Sequence, residues 1–595
     1  ADLRVLGLAR ADGTARSERY LERLLKRAAA PSIPSTRTLD RASGRYRVEL
    51  PGTLVLPMEI SGSSERLTIE MTADSNLDVD RTKVLAKIVN LSSGDTWMPP
   101  LPEWRNDDGS SGLMATGTIP IGRCADAPCM VTFQVQPQPA GAAIEIAQPR
   151  QLAGSNEQPR ERLAPAATHQ PTDDRPDIVL ITLDAARPDH FSTYGYDRLT
   201  TPNIDRLAQD ALVFHNAFAL APYTLCSVPT MVTGLSFLDH GVTRRGQTLT
   251  PERSTLAEQL REAGYRTVCF STNPHNSRAA GTDQGYDEFY ELWTEIEGRA
   301  SADPQFITER ALETLAQIDD SQPLHLQLHY MPPHAPYNPA HEFDVFSDPD
   351  YEGPCDGWHR TIRALDVGRR APGDGCLDEL IALYDGNLFA ADHWVGRLLD
   401  ALRARPRWKN TVVLVTADHG DAFLEHGRMG HNKTVYDEML RVPFILRLPE
   451  DFEGRTSSSD RLVTLEDIVP TLLATASLEP VDPVTGEDLS RSASGDQPPP
   501  RLFIARTASG VPAYALRTLR WKIILPASGH GQLFDLANDP GEIANLSFHN
   551  QPLFVSLGQL LTWNLGGRPA DNSQAPTADL PEEDLKMLEA LGYVE

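Results

Sequence analysis

Cysteine is scarce in this chain, six residues in 595, too few to crosslink a protein of this size throughout. Two close pairs, Cys124/Cys129 and Cys355/Cys376, nevertheless lie in Gly-, Pro- and Asp-rich contexts that suit disulfides, and disulfides favour export. A zinc knuckle at the first pair would need a second Cys/His pair, and "RCADAPCM" has none beside it. Long apolar runs are missing as well. "IVLITL" and "VVLV" fall far short of the roughly 18 residues that a membrane helix needs, so no membrane span is expected. Basic charge is in short supply: 55 Lys and Arg stand against 82 Asp and Glu, a formal net charge of -27. No basic stripe is left for counterion release, which excludes nucleic acid and anionic membrane surfaces as expected partners. An initiator Met, a basic leader and an apolar leader are absent before Ala1, and the expectation is an exported protein whose targeting segment or anchor has been removed.

What is present divides along the chain. Residues 1–44 contain "SERYLERLLKRAAA", in which Tyr20, Leu21, Leu24 and Leu25 have helical spacing and Ser17 is placed to cap. From 45 to 146, short runs such as "RYRVEL", "RLTIEM", "KVLAKIV", "MVTFQV" and "AIEIA" alternate apolar and polar residues between turn signals, predicting an antiparallel β-sandwich. Residues 147–176, rich in Pro, Gln and Ala without periodicity, read as a linker. From 177 to 595 strand-like runs alternate with helical ones. "DIVLITLD" and "TVVLVTADHG" are continuous apolar strands, and "TPNIDRLAQDAL" is a helix with Thr201 as cap and Pro202 in its first turn. This is the pattern of an α/β fold with a buried, largely parallel sheet and helices on both faces. After residue 500, "AYALRTLRWKIILP" and "GQLFDLANDPGE" predict a small antiparallel subdomain.

In such a sheet, ligands bind beyond the carboxyl ends of the strands. "DIVLITLD" ends in Asp184, and "TVVLVTADHG" ends in Asp418 and His419. A single Asp there can equally cap the next helix. Carboxylate oxygens with an imidazole nitrogen form a ligand set for zinc or manganese rather than calcium. The stretch "APYTLCSVPTMVTGL" supplies a group for a metal to activate. Pro229 is compatible with an early helical turn and Gly234 with a stop, which places Thr224 at the N-terminus of a short helix, either as a plain cap or as a metal-activated nucleophile.

From about Pro176 onward the chain resembles the sulfatase branch of the alkaline phosphatase superfamily. The matching segments run in family order: "LDAARPDHFSTYGY", "TTPNIDRLAQDALVFHNAFA", "LHYMPPHAPY", "YDGNLFAADHWVGRLLDAL", "TADHGDAFLEHGRMGHNKTVYDEMLRVPFI" and "WKIILPASGHGQLFDLANDPGE". In the family signature the nucleophile stands ten positions before the Gly of a Thr-Gly dipeptide. Here that position is Thr224, with Cys226, Ser227 and Val228 at the positions of Pro, Ser and Arg. A Thr cannot become formylglycine, so no formylglycine is expected, and Cys226 is expected to be a structural thiol. Family members with Thr resemble phosphodiesterases, phosphonate monoester hydrolases, lipoteichoic-acid synthases and phosphoethanolamine transferases.

The resemblance implies one divalent transition metal, zinc or manganese, on Asp184, Thr224, Asp418 and His419, with Ala185 in place of the family's second acid. It implies that His334 and His431 contact the anion or protonate the leaving group, and it makes Lys433 and the neighbouring His426 weaker candidates for substrate binding. Arg187 is expected in an ion pair, with a phosphate clamp as the alternative. The implied activity is transfer or hydrolysis of phosphate diesters or phosphonate monoesters through a phospho-threonine. Sulfate-ester hydrolysis without formylglycine is the first alternative, and a degenerate glycan- or envelope-binding protein the second.

Overall fold

The computed structural model describes residues 175–295, 303–373, 375–452, 457–490, 501–509, 511–566 and 584, together with the backbone of the strands between 39 and 151. The expected helix after Ser17, most of the expected linker and the Cys124/Cys129 pair lie outside the described residues. Two compact units are formed, one within Ala1–Ala166, Pro499–Ile504 and Val511–Asp571, the other within Ala167–Pro498, Ala505–Gly510 and Asn572–Glu595.

In the first unit, all five of the alternating runs form strands, and two further strands, Thr53–Ile60 and Gly112–Pro120, join them. They pair antiparallel in two sheets, one built around Arg66–Asp74 and Gly112–Pro120, the other around Thr53–Ile60, Ala127–Gln136 and Lys83–Asn90. Nearer the C-terminus, Ala513–Arg517, Trp521–Pro526 and Gln532–Asp535 pair in sequence order, also antiparallel.

The second unit is built on eight strands: β1 (Asp177–Leu183), β2 (Leu212–Phe218), β3 (Arg266–Ser271), β4 (Glu288–Glu291), β5 (Leu324–Tyr330), β6 (Thr411–Thr416), β7 (Phe444–Arg447) and β8 (Ser458–Thr464). Their spatial order is β4-β3-β5-β1-β6-β7-β2-β8, and β7 alone runs against its neighbours. β1, β5 and β6 are buried at every position, as continuous apolar runs require when both faces are covered. Helices α1 (Pro202–Ala208), α2 (Thr224–Thr233), α3 (Leu256–Glu262), α4 (Pro304–Leu315) and α5 (Cys376–Arg403) belong to this unit; α3 and α4 pack on the sheet, α1 and α4 also on α5.

Thr201 stands at the N-cap position of α1 but makes no capping bond; its hydroxyl goes to Asp205 (3.0 Å). The cap comes instead from Asp392 on α5, whose carboxylate accepts from the backbone N–H of Asn203 and Ile204 (3.0 and 2.9 Å). A carboxylate does the work of the expected hydroxyl because α5 passes the helix end, a contact that local sequence does not encode.

Candidate active site

The parallel register brings the reactive residues to one sheet edge. Thr182 of β1 pairs with Thr416 of β6 and with His329 of β5, and His329 pairs with Ser271 of β3. Asp184, Asp418 and Asn273 each lie two residues beyond this row, at the carboxyl ends of their strands. Asp184, Asp418 and His419 are buried, and among the described residues they are the one group of three or more acidic, His or Cys side chains whose ligating atoms lie within 4.8 Å of one another.

Each of these side chains is held by one atom and offers another. Asp418 Oδ1 accepts from the backbone N–H of Ala185 (3.1 Å) and of His419 (3.0 Å), while its Oδ2 is buried without a hydrogen-bond partner. Asp184 Oδ2 accepts from Asn273 Nδ2 (2.5 Å) and lies 3.2 Å from His329 Nε2, and its Oδ1 is likewise left without a partner. His419 Nδ1 meets the carbonyl of Gly420 (2.9 Å), which assigns the proton to Nδ1 and the lone pair to Nε2. That Nε2 lies 3.8 Å from Asp184 Oδ1 and 3.5 Å from Asp418 Oδ2. Two buried, unsatisfied carboxylate oxygens facing an imidazole lone pair would be costly without a cation, so the residues fit a divalent metal. Ala185, which stands in place of the family's second acid, takes a left-handed backbone (φ 58°) and contributes the N–H that fixes Asp418.

Thr224 is the first residue of α2, and Tyr223 is its N-cap. The Thr224 side chain does not cap the helix: its fully buried Oγ1 lies 3.3 Å from His419 Nε2 and 3.4 Å from Asn273 Nδ2. Pro229 falls in the middle of α2 rather than in its first turn, and Gly234 ends the helix with φ 69°. Cys226 is buried, and burial pushes its thiol up to about 11, so it stays protonated near neutral pH.

His431 and His334 border the cluster. The His431 ring lies 4.5 Å from that of His419 and 4.9 Å from that of His334. His431 Nδ1 is 3.3 Å from Asp421 Oδ1, and Asp421 Oδ2 accepts from Tyr337 OH (2.6 Å). Burial holds both His334 and His431 below the ordinary imidazole range. For His419 burial acts the same way, but Asp418 and Asp184 outweigh it and raise the value. Burial opposes the charge of Asp184 too, yet the imidazoles of His334, His329 and His419 prevail and hold its carboxyl well below the usual range.

Lys433 is bonded through its ammonium to Asp366, which also lies 3.8 Å from Arg428. His426 meets Glu438 (2.8 Å) and stacks on Tyr436. Arg187 is locked in ion pairs with Asp189 (2.7 Å) and Glu425 (2.5 Å) and donates to the Asp421 carbonyl (2.9 Å), the structural role expected first. The Cys355–Cys376 disulfide forms. Sequence reasoning missed Asn273, His329, Asp421, Tyr337 and His275. The strand-end rule that found Asp184 and Asp418 also points to Asn273, in "CFSTNPHNS" immediately after an apolar strand. His275, in the same loop, bonds Tyr223 OH (2.8 Å), and burial lowers it to about 3.

An α/β unit with a mostly parallel sheet and a buried acid–imidazole cluster at its carboxyl edge defines the class of α/β proteins whose ligand site lies beyond the strand ends. Residues 176–478, just over half the chain, match the sulfatase family, and residues 425–561 match the C-terminal region of N-sulphoglucosamine sulphohydrolase. The chain belongs to the sulfatase family. It is 26% identical over 440 residues to an arylsulfatase of Clostridium perfringens, covering 62% of this chain and 90% of the relative. It is 24% identical over 468 residues to an N-acetylglucosamine-6-O-sulfatase of Bacteroides thetaiotaomicron, covering 62% and 82%. In fold it is similar to a phosphonate monoester hydrolase of Agrobacterium radiobacter (TM-score 0.55, 20% identity, covering 68% of this chain and all of that one).

Proposed function

We propose that the protein is a metal-dependent hydrolase or transferase of phosphate diesters or phosphonate monoesters, with Thr224 as nucleophile. The observation that carries this reading is the buried Thr224 hydroxyl at the start of α2, 3.3 Å from His419 and beside the bare oxygens of Asp184 and Asp418. Asp184, Asp418, His419 and Thr224 would hold a divalent ion, which would supply Lewis-acid charge stabilisation and make a hydroxyl nucleophilic near neutral pH. Zinc or manganese suits this mixed oxygen and nitrogen set.

Thr224 Oγ1 passes its proton to water and attacks phosphorus in line, and the bond to the leaving oxygen breaks as a phospho-threonine forms. His431, oriented by Asp421 and through it by Tyr337, takes up a proton when the negative charge of the bound substrate offsets its burial and gives it to the leaving oxygen, and His334 lies against it as the alternative donor. Water or an acceptor alcohol then attacks phosphorus and releases Thr224. Peptide N–H groups of the first turn of α2 favour the anion. Lys433 stays a weaker candidate for substrate binding, its ammonium being bonded to Asp366. The Cys355–Cys376 disulfide supports an oxidising compartment, in line with export.

The sulfatase relatives favour a second reading, attack of Thr224 on sulfur in a sulfate ester. The absence of a Cys or Ser at position 224 counts against it, because no aldehyde hydrate can form there. Initial rates on matched aryl phosphate, diester, phosphonate monoester and sulfate ester, with Zn²⁺ or Mn²⁺, decide between the two. Turnover of a phosphorus ester that falls by at least about 10³-fold in Thr224→Ala is expected. Turnover of the sulfate ester alone transfers the assignment to the second reading, and an active, folded Thr224→Ala protein ends both.

A further inference from the structure

Both candidate carboxylate ligands are prevented from using their second oxygen, and by different means. Asp418 Oδ1 is taken by two backbone N–H groups, which any sequence could provide. Asp184 Oδ2 is taken by two side chains, Asn273 (2.5 Å) and His329 (3.2 Å), which this sequence has chosen. All three are at most 1% exposed, so water does not supply these bonds in their place. Asn276 Nδ2, which can only donate, faces His329 Nδ1 at 3.5 Å, and this leaves the imidazole proton on Nε2, directed at Asp184. Asn273 reaches Thr224 Oγ1 (3.4 Å) from the same nitrogen, so one amide braces the carboxylate and the nucleophile together.

The consequence is a small donor set. Each carboxylate presents one oxygen, His419 presents one nitrogen and Thr224 one oxygen. Ca²⁺ takes six to eight oxygens and exploits two-oxygen carboxylates, whereas Zn²⁺ is content with four mixed donors. We propose that Asn273 and His329 are the metal-selectivity residues of this site: by occupying Oδ2 they hold Asp184 to single-oxygen ligation and set the preference for a zinc-type ion over calcium. This inference rests on the metal-site reading above and names the positioning residues within it.

The test measures dissociation constants for Zn²⁺ and Ca²⁺ by equilibrium dialysis with elemental analysis, using the full chain, its Asn273→Ala and His329→Leu variants, and His329→Gln, whose amide can still donate. Melting of the chelator-treated proteins reports whether each variant folds. Zn²⁺ binding weakened about tenfold or more in Asn273→Ala and His329→Leu, with a narrowed preference over Ca²⁺ and a return toward wild type in His329→Gln, is the expected result. If His329→Leu does not fold, Asn273→Ala, which adds no bulk to the buried site, carries the decision. Folded variants with wild-type Zn²⁺ affinity and wild-type preference overturn the selectivity role while leaving the metal site intact. A wild-type chain that binds neither ion overturns the metal site itself, and the selectivity role with it.

Discussion

Thr224 and His240 lie close in the chain and show two fates of a buried polar side chain. Thr224 is directed at the acid–imidazole cluster, while His240 is sealed into the fold. His240 Nε2 meets Thr230 Oγ1 (3.1 Å), and its Nδ1 accepts from the backbone N–H of Val242 (3.1 Å). Both ring nitrogens are therefore satisfied only in the neutral form, and burial lowers its pKa to about 3. In the unfolded chain the same ring takes up a proton near its ordinary value of about 6.5. The stability this ring contributes is thus fully present above that value and is lost as pH falls toward 3. Between pH 7.5 and 5.5 the wild type is expected to lose about 1 kcal/mol more than His240→Gln, as read from urea unfolding. At this scale Asp184, Asp418, His419 and Thr224 were legible because each terminates or begins an element with a strong pattern. Asn273 and His329 were not, because their significance lies in which carboxylate oxygen they touch.

At the scale of elements, α2 is the piece that presents Thr224, and it is closed by Gly234. A Cβ at Gly234 would stand 3.0 Å from Val469 Cβ and 3.3 Å from the Glu466 carbonyl, in a left-handed backbone that costs an L-residue roughly 1–2 kcal/mol. Gly234→Ala should lower unfolding free energy by at least about 1 kcal/mol, checked by denaturant midpoints. Turnover per folded molecule should change little, since the change lies at the far end of the helix from Thr224. The stop at Gly234 was readable in advance, because glycine is the residue a helix end of this kind selects. The position of Pro229 was not. A proline in mid-helix runs against local preference and is accommodated by a helix buried at all ten positions, where packing rather than propensity decides.

For the catalytic unit as a whole, the metal reading makes stability depend on a ligand. An ion that binds only the folded chain stabilises it by mass action, about 2.7 kcal/mol at a hundred times its dissociation constant. Zn²⁺ should therefore raise the melting temperature and a chelator should lower it. Asp418→Asn, which keeps the size of the side chain, should abolish that response. A melt indifferent to metal in the wild type contradicts the site. The Cys355–Cys376 disulfide, read from two cysteines in loop-like surroundings, formed as expected.

The sequence by itself determined the alternation of apolar strands and helices, the placement of two acids and a histidine at strand ends, the threonine at a helix start and the membership of a family. These follow from patterns with short reach, in which a residue's neighbours in the chain decide its conformation. Only the tertiary structure decided that Ser271, His329, Thr182 and Thr416 lie in one row across four strands, and so that Asn273, Asp184 and Asp418 meet. Only it decided that Asp392 rather than Thr201 caps α1, and that one oxygen of each carboxylate is held while the other is left bare. Strand order and register arise from packing between segments as far apart in the chain as Asn216 and Leu462, and no local pattern carries that information.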